Sequence, residues 1–395
     1  MAIEQQFGDL ILTFTDQYEL RWNDQGSGAN ADGAYWHPLA PAGFYALGSV
    51  GVNNYSNING SQASLCVRVS PQAQNALAFP VRYEQIWADH GSGAHLDGSV
   101  WRPIAPDGYV ALGDVFVRGY DNPSQHDVVC VRRDLTVRGL IGAEIWADHG
   151  SGAKQDLDTF AIVTPTTDLD SEKGYFAVNS FVANNSYNQP TGAVEINCLN
   201  LPFPVQKLND PSNPVLDSYA MPPAYSGKTI DRIVTVPFTA ITDNAYPLSW
   251  KVQNSPFYFV ERQIAYAREL FNYNNSSTPQ TVSKTVTTGI SHMSSQTFSV
   301  TTGISVTAEG GVSFLGTGGK VSATISVEMG WETSTGIEQF QESSVLKQLV
   351  TEPKKAGCLW AQSYTFLIAR EDNTYLTDQL NFDVDSFYIS DYPQS

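Results

Sequence analysis

The sequence predicts an all-β protein in two parts. An N-terminal threefold-repeat, β-prism-like domain spans 1–200, and an elongated β-sheet domain with a projecting hairpin spans 201–395. Three observations predict this. The 395 residues include 31 Gly, 19 Tyr, 19 Phe and 8 Trp, a bias toward strand and turn formers. A Trp/Asp/Gly motif recurs three times in the first half. Two segments of the second half alternate apolar with small polar residues over strand-length runs.

The repeat fixes the first domain. Residues 22–50 (WNDQGSGANADGAYWHPLAPAGFYALGSV) and 87–115 (WADHGSGAHLDGSVWRPIAPDGYVALGDV) are identical at 17 of 29 positions without a gap. A third copy opens at Trp146 as WADHGSGAKQDLDTF, with Phe160 where the others have Trp36 and Trp101. Cys66, Cys130 and Cys198 follow Trp22, Trp87 and Trp146 by 44, 43 and 52 residues and read as inward core positions. Each unit has room for about four short strands separated by Gly, Asp, Asn and Pro. Such units cannot bury their own faces and must pack about a common axis. Three four-stranded sheets make a prism; a sandwich or short propeller is the competing arrangement.

The motif Trp-x-Asp-x-Gly-Ser-Gly-Ala-x-x-Asp places carboxylates at Asp24 and Asp32, Asp89 and Asp97, Asp148 and Asp156. One reading is a turn, where Asp accepts backbone N–H bonds and Gly supplies positive φ. The other is a receptor or ligand loop, with Asp for sugar hydroxyls and Trp for stacking. Trp36, Trp101 and Tyr109 fit either the core or such a face. Over roughly 15–200, the motif together with Trp-x-Pro and Gly-Tyr-x-x-Leu-Gly resembles the repeats of the plant and fungal vacuolar-protein-sorting-associated family. That resemblance implies a module that binds membranes or glycans.

The junction is the Pro/Asn/Ser-rich run 199–228, and 258–271 (YFVERQIAYARELF) reads as one helix or a strand. The hairpin follows. Phe298, Val300, Ile304, Val306 and Ala308 share one parity, against Thr297, Ser299, Thr301, Ser305, Thr307 and Glu309. After GGVSFLGTGG, with Val312, Phe314 and Leu315 at its tip, Val321, Ala323, Ile325, Val327, Met329 and Trp331 alternate with Lys320, Ser322, Thr324, Ser326 and Glu328. Two arms of 298–308 and 321–331 match the ~9–11 residues of a bilayer-crossing strand, apolar to lipid and polar to a lumen. The same pattern also suits a hairpin packed on a soluble sheet.

The order NNSSTPQTVSKTV, then a Ser/Thr-rich region, then VTAEGGVSFLGTGGKVSATISVEMGWETSTG, then the strand SYTFLIARED resembles the aerolysin-like β-pore-forming toxins, in the branch of epsilon toxin and the mosquitocidal toxins. It covers roughly 205–395. The tip departs from relatives that carry a Pro there, since none lies between Pro279 and Pro353, and 281–300 is the competing insertion segment. The resemblance implies a toxin, insecticidal in that branch, that binds a surface receptor, oligomerises and inserts a β-barrel.

Charge and chemistry narrow the function. The formal charge is −18, and no basic patch exists for nucleic acid. Basic and acidic residues number 10 and 22 in 1–200 and 12 and 18 in 201–395, so targeting by anionic lipid alone is disfavoured and a glycan or protein receptor is expected. No basic-then-apolar leader opens the chain, which points to release by a non-classical route. No catalytic signature appears: the Asp-His-Gly-Ser-Gly of His90 and His149 has Gln25 in the first repeat, and no Gly-x-Ser-x-Gly, HExxH or phosphate loop is present. Neither an enzyme, a cofactor nor a metal is implied. The expected partners are the target-cell membrane, its receptor and further copies of the chain on that membrane. The rival is a non-lytic, lectin-like or trafficking-type membrane-binding protein.

Overall fold

In the computed structural model, residues 2–165, 173–192, 194–208, 211–306, 311–314, 323–328 and 342–394 are described. They form nearly all-β structure in two compact units. The first comprises 1–204, 237–257 and 314–326, and the second 205–236, 258–313 and 327–395.

The first unit is threefold at two depths. Three equivalent inner sheets are Tyr18–Asn23, Ala34–Pro38 and Val50–Val52; Arg82–Ala88, Gly98–Ile104 and Val115–Arg118; and Leu140–Ala147, Asp158–Val163 and Phe181–Asn184. Three outer sheets contain the cysteine strands Ser64–Val69, Cys130–Arg132 and Asn197–Pro202. Each repeat therefore carries two small antiparallel sheets where the sequence suggested one sheet of four strands. The reason is that the inner strands bury both faces. Tyr35 turns to the axis, while Trp36, Val50 and Tyr18 pack in a separate cluster inside the repeat. Trp101 and Phe160 do the same in their own repeats. The cysteines are fully buried, and burial pushes their thiols up to about 12.

Trp22, Trp87 and Trp146 meet on the axis at 5.3–6.3 Å between centroids, all edge-on. The symmetric space is filled asymmetrically. Tyr35 faces Gly51 across the strand pair, Val100 faces Phe116, and Thr159 faces Ala183. Tyr35 stacks on Phe116 at 4.3 Å and bonds Thr159 through its hydroxyl at 2.7 Å. Gly33 and Gly98 lie under neighbouring tryptophans; a Cβ there would stand 2.5 Å from Trp146 and 2.4 Å from Trp22. The outer strand Lys173–Phe176 also pairs with Ala323–Glu328, matching Gly174 to Ile325 and Phe176 to Ala323.

The second unit is built on a sheet in the order Val205–Lys207, Tyr225–Pro237, Phe257–Asn274, Lys355–Arg370 and Leu380–Tyr392. The segment 258–271, readable as helix or strand, is strand. A separate ribbon pairs Gln280–Thr288 with Ser343–Thr351 over nine residues without a slip. Between the ribbon strands the structure departs from the expected arm 298–308. Residues His292–Thr302 form a helix, and among the described residues of that arm only Ile304–Val306 are strand. The helix is built by local hydrogen bonds. Ser291 Oγ accepts from the Ser294 N–H at 3.1 Å, and Gly303 closes the C-terminus at φ 75°. Phe298 is therefore buried while Val300 is 74% exposed, where a strand would give them one face.

Candidate functional site

The three Gly-Ser-Gly loops join at one end of the axis into a closed crown. His95 N donates to Gln25 O at 2.7 Å, Lys154 N to His90 O at 3.0 Å, and Asn30 N to His149 O at 2.8 Å, each loop reaching the next. All six glycines of these loops have positive φ, between 73° and 92°. Cβ atoms on Gly26, Gly91 and Gly150 would lie 3.0–3.2 Å from the carbonyls of Gly93, Gly152 and Gly28. Only glycine meets both demands.

The first Asp of each motif is buried and holds the crown. Asp24 accepts the Gly33 N–H at 2.9 Å, and Asp148 accepts the Leu157 N–H at 3.0 Å. The axial tryptophans bind across repeats: Trp22 Nε1 donates to Asp89 Oδ2 at 2.9 Å and Trp87 Nε1 to Asp148 Oδ2 at 3.3 Å. In the third step Trp146 Nε1 uses Ala31 O at 2.8 Å. The turn reading thus describes Asp24 and Asp148, whose carboxylates take backbone N–H groups, whereas the Asp89 carboxylate takes the Trp22 indole and the Tyr120 hydroxyl. The second Asp of each motif, Asp32, Asp97 and Asp156, is exposed. Trp36 and Trp101 are core, not a stacking face.

A tyrosine completes each carboxylate pair. Tyr55 faces Asp24 and Asp32, Tyr120 faces Asp89 and Asp97, and Tyr187 faces Asp148 and Asp156. Burial first, then hydrogen bonding to these carboxylates, pushes each phenol up, so the hydroxyls stay protonated. Tyr120 OH donates to Asp89 Oδ1 at 2.8 Å. His90 lies 4.0 Å from the Tyr120 ring and His149 3.6 Å from the Tyr187 ring, centroid to centroid. The motif did not include these tyrosines, although Tyr55 and Tyr120 both follow their repeat's Trp by 33 residues; Tyr187 follows by 41. The result is three equivalent notches of two carboxylates and a phenol. They suit hydrogen bonding to a polyhydroxylated surface and contain no nucleophile–base pair. Among the described residues no group of three or more His, Cys, Asp or Glu is arranged to hold a metal.

The insertion candidates lie elsewhere. Phe298 and Val300 are on the helix, and Ile304 and Val306 are buried on the short strand that also holds Ser305. Val312 and Phe314 fall on the strand Gly311–Phe314; Thr324, Ile325, Ser326, Val327 and Glu328 fall on Ala323–Glu328. The expectations for Thr307, Glu309, Leu315, Lys320, Val321, Ser322 and Met329 lie outside the described residues.

Comparison with known proteins divides the chain similarly. Residues 4–209 match the family model described as vacuolar protein sorting-associated protein 62. Residues 231–384 match the model described as insecticidal crystal toxin, P42. No curated protein sequence matches. Among solved structures, GNIP1Aa from Chromobacterium piscinae is 27% identical over 48% of this chain, with a TM-score of 0.39; the chain spans 37% of that protein's length. Cry35Ab1 is 9% identical over 99% of this chain and 91% of its own, with a TM-score of 0.38.

Proposed function

This chain belongs to the vacuolar protein sorting-associated protein 62 family, and we propose that its threefold module is the receptor-binding end of an insecticidal pore-forming toxin. The observation that carries the proposal is the match of 231–384 to the insecticidal crystal toxin model, over the stretch that contains the alternating arms. On this reading the crown notches, with exposed Asp32, Asp97 and Asp156, engage a glycan or protein on the target cell. Copies of the chain then assemble and insert 298–331 as an aerolysin-like barrel. Assembly is required because a single hairpin in lipid has unsatisfied backbone edges, and only a closed ring removes them. Phe298, Val300, Ile304, Val306, Val312, Phe314, Leu315, Val321, Ile325, Val327 and Met329 meet lipid or cross it. Ser305, Thr307, Glu309, Lys320, Ser322, Thr324, Ser326 and Glu328 line the lumen. The action uses no catalytic step and no cofactor.

The test is release of an entrapped dye from vesicles made of insect gut-epithelial membrane, with native gels of the membrane fraction. Graded release together with a ring-sized, detergent-resistant species supports the reading. Saturable binding with no release and only monomer replaces it with the non-lytic binding protein.

A further inference from the structure

We propose that the seam between the second and third repeats is a further binding site, which takes the terminal sugar ring of a glycan. It lies within the first unit and shares no lining residue with the crown notches. It stands or falls independently of the pore reading.

This seam holds a cavity of about 440 Å³, within the range of ~300–1,000 Å³ typical of small-molecule sites. The seam between the first and second repeats shows the closed form. There His37 Nδ1 meets Ser49 Oγ at 3.0 Å and Nε2 meets Asp127 O at 3.1 Å. Beside it Val129 N donates to Ala46 O at 3.2 Å. The seam between the second and third repeats keeps the inner contact and changes the outer one. Ser49 N donates to Asp114 O at 3.0 Å in the first seam, and Asp114 N to Phe181 O at 2.9 Å in the second. Further out, Arg102 and Asp114 stand where the first repeat has His37 and Ser49. Asn197, next to Cys198, stands where Val129 and Leu65 precede their own cysteines. Ala111, the counterpart of Ala46, is reached by Asn197 Nδ2 at 3.4 Å. A side chain spans the gap that backbone closes at the first seam.

Two polar groups in the lining keep unused hydrogen-bonding atoms. Arg102 donates through Nε and Nη2 to Asp114 at 3.0 and 2.8 Å, and through Nη2 to Ala183 O at 2.6 Å. Its Nη1 makes no hydrogen bond among the described residues, and the side chain is 23% exposed. Asn197 is 8% exposed, and its Oδ1 accepts no hydrogen bond among the described residues. An unpaired amide oxygen at a buried position costs stability, and Leu65 and Val129 show that the fold does not need one there. Glu84 and Glu195 add carboxylates at the exposed rim. Each lining charge has an opposite partner: Arg102 with Asp114, Arg133 with Glu195, and Glu84 with Arg82. The site is therefore neutral and richer in acceptors than in donors. A ring of hydroxyls serves both kinds of atom, accepting from Arg102 Nη1 and donating to Asn197 Oδ1 and the rim carboxylates. An ammonium would meet the Arg102 guanidinium, and a peptide main chain offers one N–H per residue to these acceptors. Ile104, Val110, Leu112, Val182 and Val194 supply the apolar wall for the C–H face of the sugar.

The test is saturation-transfer NMR of the full chain with the methyl glycosides, in both anomers, of glucose, mannose, galactose, N-acetylglucosamine and N-acetylgalactosamine. At least one should bind saturably, with a dissociation constant in the millimolar range. Asn197→Leu, which installs the residue type of Leu65, should weaken that sugar at least tenfold without lowering the melting temperature. Val194→Trp fills the cavity from its wall and should abolish the transfer; it decides the matter if Asn197→Leu fails to fold. Binding by none of the glycosides overturns the proposal. So does wild-type binding by Val194→Trp. Loss of binding in the triple variant Asp32→Ala/Asp97→Ala/Asp156→Ala, with both seam variants binding as wild type, would place the sugar at the crown and overturn the seam alone. A free sugar that binds while neither of its methyl anomers does would overturn the assignment to a glycan end.

Discussion

Replacing Asp89 with Ala tests whether the crown is a scaffold or a ligand site. The Asp89 carboxylate accepts from Trp22 Nε1 at 2.9 Å and from Tyr120 OH at 2.8 Å, and Trp22 is fully buried. Truncation leaves the indole N–H without a partner on the molecular axis. A buried donor left unmade costs about 1–3 kcal/mol, and bonds to a charged acceptor sit at the upper end of the range. Tyr120 is half-buried and regains water, so its bond adds at most about 1 kcal/mol. The sum is about 3 kcal/mol, or a fall in melting temperature of roughly 6–12 °C for a unit of this size. Asp32→Ala is the matched control. That carboxylate is exposed, and its loss should cost less than about 1 kcal/mol. Differential scanning calorimetry of both variants decides the matter, with dye release and target binding measured alongside. If Asp89→Ala melts within 1 °C of wild type yet loses target binding, the motif is a ligand site first and the scaffold argument fails.

Three further outcomes are expected. Gly98→Ala drives a methyl to within 2.4 Å of the Trp22 ring and should cost about 1–3 kcal/mol in urea titration; an unchanged midpoint would mean the axial packing is looser than drawn. Asp158 is buried, its Oδ1 has no hydrogen-bond partner among the described residues, and burial, with Glu144 and then Asp148 nearby, raises its pKa to about 7. Because the folded value lies above the unfolded one, this stability is fully present below about pH 4 and is lost as pH rises through 7, on the order of 4 kcal/mol in all; Asp158→Asn should flatten that slope in melts from pH 4 to 8, and an identical slope would clear Asp158 of the effect. In planar bilayers Ser305→Lys should conduct with selectivity shifted toward anions, whereas Ile304→Lys should assemble and not open, since a lysine facing mid-bilayer costs ~2–4 kcal/mol per subunit; equal behaviour of the two sinks the face assignment.

Much of the first unit was legible in the sequence because repetition multiplies a weak signal. The Gly-Ser-Gly triplet, the Asp that follows Trp by two, and one cysteine per unit are each explained by an axis: positive φ, a buried carboxylate taking an indole N–H, and an inward thiol. The doubling of the sheets was hidden because a strand buried on both faces, such as Ala34–Pro38, shows no alternation to count. Tyr55, Tyr120 and Tyr187 were hidden because they sit outside the motif and join it only through the fold.

The helix His292–Thr302 was hidden for a different reason, and that reason is informative. Period-2 patterning records which faces a segment presents when extended; 297–306 carries that record, whereas Thr288, His292, Ser294 and Gln296 break it on the apolar side and Met293 breaks it on the polar side. The helix answers to local terms alone: a serine cap, a glycine stop and hydroxyls bonded to the backbone. In an ordinary domain local preference and long-range pattern agree, because disagreement costs stability without return. Here they disagree over 297–302, and the local terms win: the serine cap, the glycine stop and the threonine hydroxyls bonded to the preceding turn hold those residues helical.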